Sequence, residues 1–110
     1  MTDKIVVLCT CSSSDEARRI AGELIARRLA ACVNLLPPVR SVYHWKGAVE
    51  ESEEILMIIK SARPLFEQLR AAIARLHSYE VPEIVALPIV DGSASYLAWM
   101  DSELIPPVQE

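Results

Sequence analysis

Between Ala31 and Ser61 the chain reads ACVNLLPPVRSVYHWKGAVEESEEILMIIKS, two extended runs about a single glycine, Gly47. Tyr43 and Trp45 alternate with Val42 and His44 on the way in, and Ala48 and Val49 lead out toward Ile55-Leu56-Met57-Ile58-Ile59. β-Branched and aromatic residues on either side of Lys46-Gly47 predict a hairpin that turns there. Each arm is about a dozen residues, roughly 40 Å of strand, whereas strands usually hold about 5–6 residues. A domain of 110 residues cannot cover both arms with its own core. The overhang therefore predicts cover from outside, most simply by another copy of the chain. Pro37-Pro38 interrupts the first arm and marks a bulge, a kink or an edge, because Pro has no ladder donor. Glu50, Glu51, Glu53 and Glu54 on the second arm are expected to be solvated and to discourage sheet-to-sheet sticking.

The elements around the hairpin follow from period and capping. Lys4–Cys11 is a continuous apolar run and predicts a strand buried on both faces. Ser13 with Glu16 fits a capping box, and Ala17, Ile20, Ala21, Leu24 and Ile25 form the apolar face of a helix to about Ala30. Arg28, near the edge of that stripe, is expected to reach a carboxylate elsewhere. Leu65, Phe66, Leu69, Ala72, Ile73 and Leu76 give a second helical stripe within Ser61–Ser78. Pro64 belongs in its first turn, placing the start near Ser61–Arg63. His77–Glu83 is its exit loop. Ile84–Val90 predicts a strand, with Pro88 favouring an edge or bulge. Asp91-Gly92-Ser93 is a turn and cap, Tyr96, Leu97, Trp99 and Met100 predict a short last helix, and Pro106-Pro107 ends regular structure.

The order strand–helix–strand–strand–helix–strand with a short last helix is the split βαβ plan. It predicts one α+β domain over residues 1–110, a ferredoxin-like βαββαβ sandwich with an antiparallel sheet. Right-handed crossovers place both main helices on one face. The runs Ile5–Cys9, Ile55–Ile59 and Ile84–Val90 are apolar on both faces, so the open face again points to oligomerisation. A net charge of −4 without a basic stripe argues against nucleic acid as a partner. The apolar runs are far too short for a membrane span. Strand-like residues directly after Met1-Thr2-Asp3 leave no visible signal peptide. Three cysteines, Cys9, Cys11 and Cys32, fit free thiols in a reducing cytoplasm.

Several motifs together resemble the CutA family of divalent-cation tolerance proteins. They are Val7-Leu8-Cys9-Thr10, Arg28-Leu29-Ala30-Ala31-Cys32-Val33-Asn34, Tyr43-x-Trp45-x-Gly47, His77-x-Tyr79-Glu80-Val81-Pro82-Glu83, Leu87-Pro88 and Tyr96-Leu97-x-Trp99. They stand in family order and spacing over nearly the whole chain. The resemblance implies a cytoplasmic homotrimer whose long hairpins embrace neighbouring subunits, with an architecture like that of PII-like signalling trimers. It also implies a role in tolerance of copper and other divalent cations. The copper ligands it implies are Cys9 and His77. Leu76 stands where some members carry a second His, which weakens the metal site, and Ser78 stands where many carry Pro.

The residues themselves offer both chemical and structural readings. Cys9 and Cys11, two apart on a strand, share a face, as a soft-ion site or as small buried hydrophobes. His77 ends a helix, as a ligand or as a loop-ordering group. Glu80 either steadies the imidazole or pairs with Arg28 or Arg40. His44 is expected to be exposed, and Trp45 and Trp99 to be interface or core anchors. No nucleophile elbow or phosphate loop is present, so no enzymatic activity is expected; a Cys32–His77 nucleophilic pair stays open. The leading expectation is a metal-responsive trimer. The second is a signalling or scaffold trimer holding a small anion or a partner protein in an inter-subunit cleft.

Overall fold

The computed structural model describes residues 2–106. Strand β1 (Lys4–Cys11) runs through the middle of the sheet, and β4 (Ala48–Ala62), of 15 residues, is its longest member. β1 pairs antiparallel with the second half of β4, from Cys11 opposite Ile55 to Lys4 opposite Ala62. β2 (Cys32–Leu35) lies on the other edge of β4, and β5 (Val85–Pro88) on the free edge of β1. β3 (Val39–Trp45) pairs with the first half of β4. The order β2-β4-β1-β5, all antiparallel, with β3 continuing the β2 arm, is the expected ferredoxin-like sheet.

Residues of helix α1 (Ser14–Ala26) and helix α2 (Phe66–Leu76) share one core with one side of the sheet. Ala17, Ile20 and Leu24 meet Leu69, Ala72 and Ile73 over Val7, Cys9, Met57 and Ile59. The other face carries Val6, Leu8, Leu56 and Ile58, all half-buried, with Val85 and Leu87 exposed. The apolar runs are therefore buried on one side only, by the strand period of two. β5 is an edge strand, and Pro88 sits there opposite Ile5, where its missing donor costs no ladder bond.

Two boundaries differ from the pattern-based expectation. α1 stops at Ala26, short of Ala30, because Arg28 turns left-handed (φ 58°). The Leu29 N–H then closes back on the Leu24 carbonyl at 2.9 Å. Arg28 does reach a carboxylate: its guanidinium bonds the carbonyls of Ser102 and Glu103 and the Glu103 side chain at 3.0–3.1 Å. It thereby caps the end of helix α3 (Ala94–Glu103). Ser61 belongs to β4 instead of the second helix, and its hydroxyl donates to the Leu29 carbonyl at 2.7 Å. A 3₁₀ turn over Arg63–Leu65 holds Pro64 and leads into α2. α3 ends ahead of Pro106; Pro107 lies outside the described residues.

The hairpin turns where expected. Lys46 (φ 48°) and Gly47 (φ 86°) both take the left-handed region between the paired residues Trp45 and Ala48, the two-residue turn whose twist suits a hairpin. At the other end Leu36, Pro37 and Pro38 face only Ile55 and Leu56, so the diproline makes a bulge. Beyond it the arm leaves the core. Val42 and Val49 are 63% and 72% exposed, and the molecule measures 44 × 27 × 24 Å. Its radius of gyration is 14.6 Å, against about 13 Å for a compact domain of this length.

Candidate metal centre

β1 and the exit of α2 converge at one corner. The strand period turns Cys9 and Cys11 toward the helices, where both are fully buried. His77 follows the last turn of α2; its N–H closes on the Ile73 carbonyl at 2.9 Å, and its backbone then becomes extended. That change drives the ring inward, to complete burial of the side chain. The sulfurs of Cys9 and Cys11 and a ring nitrogen of His77 all lie within 4.8 Å of one another. Cys11 Sγ is 3.7 Å from His77 Nε2 and 3.4 Å from Met57 Sδ.

The hydrogen bonds assign the imidazole tautomer. The Tyr79 N–H donates to Nδ1 at 3.0 Å, so Nδ1 is an acceptor. Nε2–H therefore donates to the Thr10 carbonyl at 2.8 Å. Glu16 Oε2 lies 3.8 Å from Nδ1. The Glu16 carboxylate accepts the Ser78 N–H at 2.7 Å and both the N–H and the hydroxyl of Ser12. Burial alone pushes this carboxyl up, but the bonds from Ser78 and Ser12 outweigh it and hold the group below the usual glutamate value. The Cys9 thiol is pushed up, first by hydrogen bonding with Cys11 and then by burial. Burial, followed by the bond to Glu54, also raises the Tyr79 phenol, which donates to Glu54 Oε2 at 2.6 Å.

A cleft of about 680 Å³ lies between the hairpin and the loop after His77. Tyr43, Trp45, Glu54, Tyr79, Glu80 and Glu83 are among its lining residues. Its charged lining groups are carboxylates, and no Lys or Arg lines it among the described residues. Thr10 and Tyr79 belong both to its wall and to the bonds that hold His77.

Cys9 and His77, the expected ligands, are thus neighbours, and Cys11 completes the cluster. Other expectations change. Glu80 is exposed and faces Lys46 at 3.9 Å, while Arg28 pairs with Glu103 and Arg40 with Glu51 and Glu53. The carboxylate beside the imidazole is Glu16, which pattern reading assigned only to a helix cap. Ser13 Oγ does cap the Glu16 N–H at 3.1 Å, but the Glu16 side chain turns to Ser12 and the His77 loop. Glu54 is buried at 7% exposure, unlike its solvated neighbours, because it receives the Tyr79 hydroxyl. Met57 carried no sequence signal beyond its apolar strand. His44 is exposed on β3, and Cys32 lies across β4 from β1, with Cys11 as the thiol beside His77. Trp45 and Trp99 are each about two-fifths exposed, so neither is a core residue.

A family model described as CutA1 divalent ion tolerance protein matches residues 5–103. The divalent-cation tolerance protein CutA of Thermus thermophilus is 47% identical over 95 residues, covering 86% of this chain and 92% of that protein. The protein of the same name from Pectobacterium atrosepticum is 39% identical over 104 residues, 94% of each. Among solved structures, the Thermus thermophilus protein matches with a TM-score of 0.89 at 44% identity, over 92% of this chain and 98% of that one. CutA1 from Oryza sativa matches with a TM-score of 0.91 at 40% identity, over 93% and 94%. The split βαβ sheet, the long hairpin and these matches together make the chain a member of the CutA1 divalent ion tolerance family.

Proposed function

We propose that this chain is a non-enzymatic, metal-binding protein that acts in tolerance of divalent cations, copper foremost, with Cys9 and His77 as donors. The observation that carries this reading is the convergence of two buried thiols and one imidazole within 4.8 Å. Thiolate and imidazole together suit copper and zinc. The resting hydrogen bonds define what His77 must give up. For Nε2 to bind a metal, its proton moves to Nδ1, and the bonds to the Thr10 carbonyl and the Tyr79 N–H are released. Glu16 Oε2, 3.8 Å away, is then the acceptor for Nδ1–H, as carboxylates commonly are for metal-bound imidazoles. The neighbouring cleft supports a cation over an anion, because carboxylates and no cationic side chains line it among the described residues.

The proposed assembly is a homotrimer. The half-buried apolar sheet face and the exposed Val42, Tyr43, Trp45 and Val49 of the arm support association. The three unpaired cysteines fit a cytoplasmic setting; fractionation that finds the protein outside the cytoplasm would contradict that assignment.

Anaerobic copper titration of the wild type beside Cys9→Ser and His77→Ala tests the site, with circular dichroism to check each fold. Each substitution is expected to weaken binding by about 10–100-fold, the range already seen when ligand-supporting groups are lost. Equal affinity in all three proteins would overturn the assignment.

A further inference from the structure

We propose that the cleft between the hairpin and the loop after His77 binds a linear aliphatic polyamine. Tyr43, Trp45 and Tyr79 would receive its alkylammonium chain, and Glu54, Glu80 and Glu83 would balance its charge. The site lies beside the thiol–imidazole cluster and needs no metal, so it goes beyond the reading above and is tested separately from it.

Shape and lining carry the inference. The cleft holds about 680 Å³, within the range of roughly 300–1,000 Å³ found for small-molecule sites. Tyr43 and Trp45, two apart on β3, share a face of that strand and line one side. Tyr79, Glu80 and Glu83 come from the loop opposite, and β4 supplies Glu54. Glu54 is the telling residue. It is buried, yet its one side-chain hydrogen-bond partner among the described residues is the neutral Tyr79 hydroxyl, at 2.6 Å. Among the described residues no Lys or Arg pairs with Glu54 or Glu83, and none lines the cleft. A carboxylate so far out of water is ordinarily matched by a cation.

The chain itself shows how the rim takes an alkylammonium. Lys46, at the hairpin turn, holds its Nζ 5.5 Å from the centre of the Trp45 ring and 3.9 Å from the Glu80 carboxylate. The first distance is within cation–π reach, and the second is a loose, exposed ion pair that a ligand can displace. A polyamine repeats this arrangement along one flexible chain. Its ammonium N–H groups donate to the carboxylates in charge-assisted bonds, while its methylenes lie against the aromatic rings. The alternatives use the cleft less fully. An inorganic cation leaves the rings without a role, a quaternary ammonium has no N–H for Glu54, and an anion meets only like charge.

The test is calorimetric titration of the purified full chain with spermidine in metal-free buffer, with magnesium and the neutral diol 1,4-butanediol as comparison probes. Spermidine should bind, the diol should not, and magnesium at equal concentration should leave spermidine binding in place. Trp45→Ala should lose about tenfold in affinity, as a desolvated cation–π contact requires. Glu54→Gln keeps an acceptor for the Tyr79 hydroxyl and should also lose about tenfold. Lys46→Asn keeps a residue that tolerates the left-handed turn. With the internal ammonium gone, it should bind about threefold tighter, a gain that misfolding cannot produce. In Trp99→Phe, Trp45 is the one remaining tryptophan, and its fluorescence should change on adding spermidine. Absence of spermidine binding at millimolar concentration, displacement by magnesium, or a silent Trp45 overturns the inference. So does wild-type affinity in Trp45→Ala or Glu54→Gln, or binding by Lys46→Asn no tighter than that of the wild type.

Discussion

His77 is held from both sides of its ring, and the side chain that organises its loop is Glu16. The carboxylate takes the Ser78 N–H at 2.7 Å while standing 6% exposed. Its pKa is lowered in the folded state, so its contribution is full above the ordinary glutamate value of about 4.3 and is lost as pH falls through the folded value. Glu16→Gln should therefore cost about 1.5–3 kcal/mol near neutrality, the worth of hydrogen bonds to a charged group. Thermal melts across pH should show the gap to wild type closing on acidification below that range. A gap unchanged down to strong acid would contradict the assignment. Tyr79→Phe removes the donor to buried Glu54, leaving a carboxylate oxygen unsatisfied at a cost of about 1–3 kcal/mol, measurable by urea denaturation. The sequence showed Glu16 only as a helix-cap residue and Glu54 only as one of four carboxylates on an arm. Their second partners come from the loop after α2, 62 and 25 residues away, and no local pattern encodes such distances.

At the scale of elements, two left-handed residues do different work. Gly47 at φ 86° has open space around an added Cβ, so Gly47→Ala isolates the conformational cost, about 1–2 kcal/mol. Hydrogen exchange should register it at the hairpin tip before the core. Arg28 at φ 58° closes α1 and caps α3 with its guanidinium. Both Arg28→Ala and Arg28→Gly lose the cap, but glycine relieves the backbone by roughly 1 kcal/mol. Arg28→Gly should thus melt above Arg28→Ala; the reverse order would show that the left-handed turn carries no strain. The helix end near Arg28 was not legible because no glycine marks it. The hairpin turn was, because Gly47 does.

For the whole molecule, the unusual feature is apolar surface on two separate parts. One face of the sheet is closed by α1 and α2, while Leu8, Leu56 and Ile58 on the other stay half-buried, and the arm carries Tyr43 and Trp45 into solvent. In the proposed trimer, association would cover both at once and add stability that depends on concentration. The wild type should scatter light as three chains at micromolar concentration, with a melting temperature that rises with concentration. Ile58→Glu, on the open face, should reduce the mass to one chain and abolish that dependence. A wild type with the mass of one chain would refute the assembly.

The sequence alone determined the element order, the split βαβ plan, the turn at Gly47, the restriction of Pro88 to an edge or bulge and the shared face of Cys9 and Cys11. Each follows from local rules: periods of two and 3.6 residues, a missing amide donor, a left-handed turn. The corner where those thiols meet His77, Met57 and Glu16 was decided only by the fold. It joins β1, β4, α1 and the end of α2, and which atoms meet there depends on strand register and on how α2 ends. The tautomer of His77 is the clearest case: it is set by an amide two residues ahead and a carbonyl 67 residues back. Only packing brings those two groups to opposite sides of one ring.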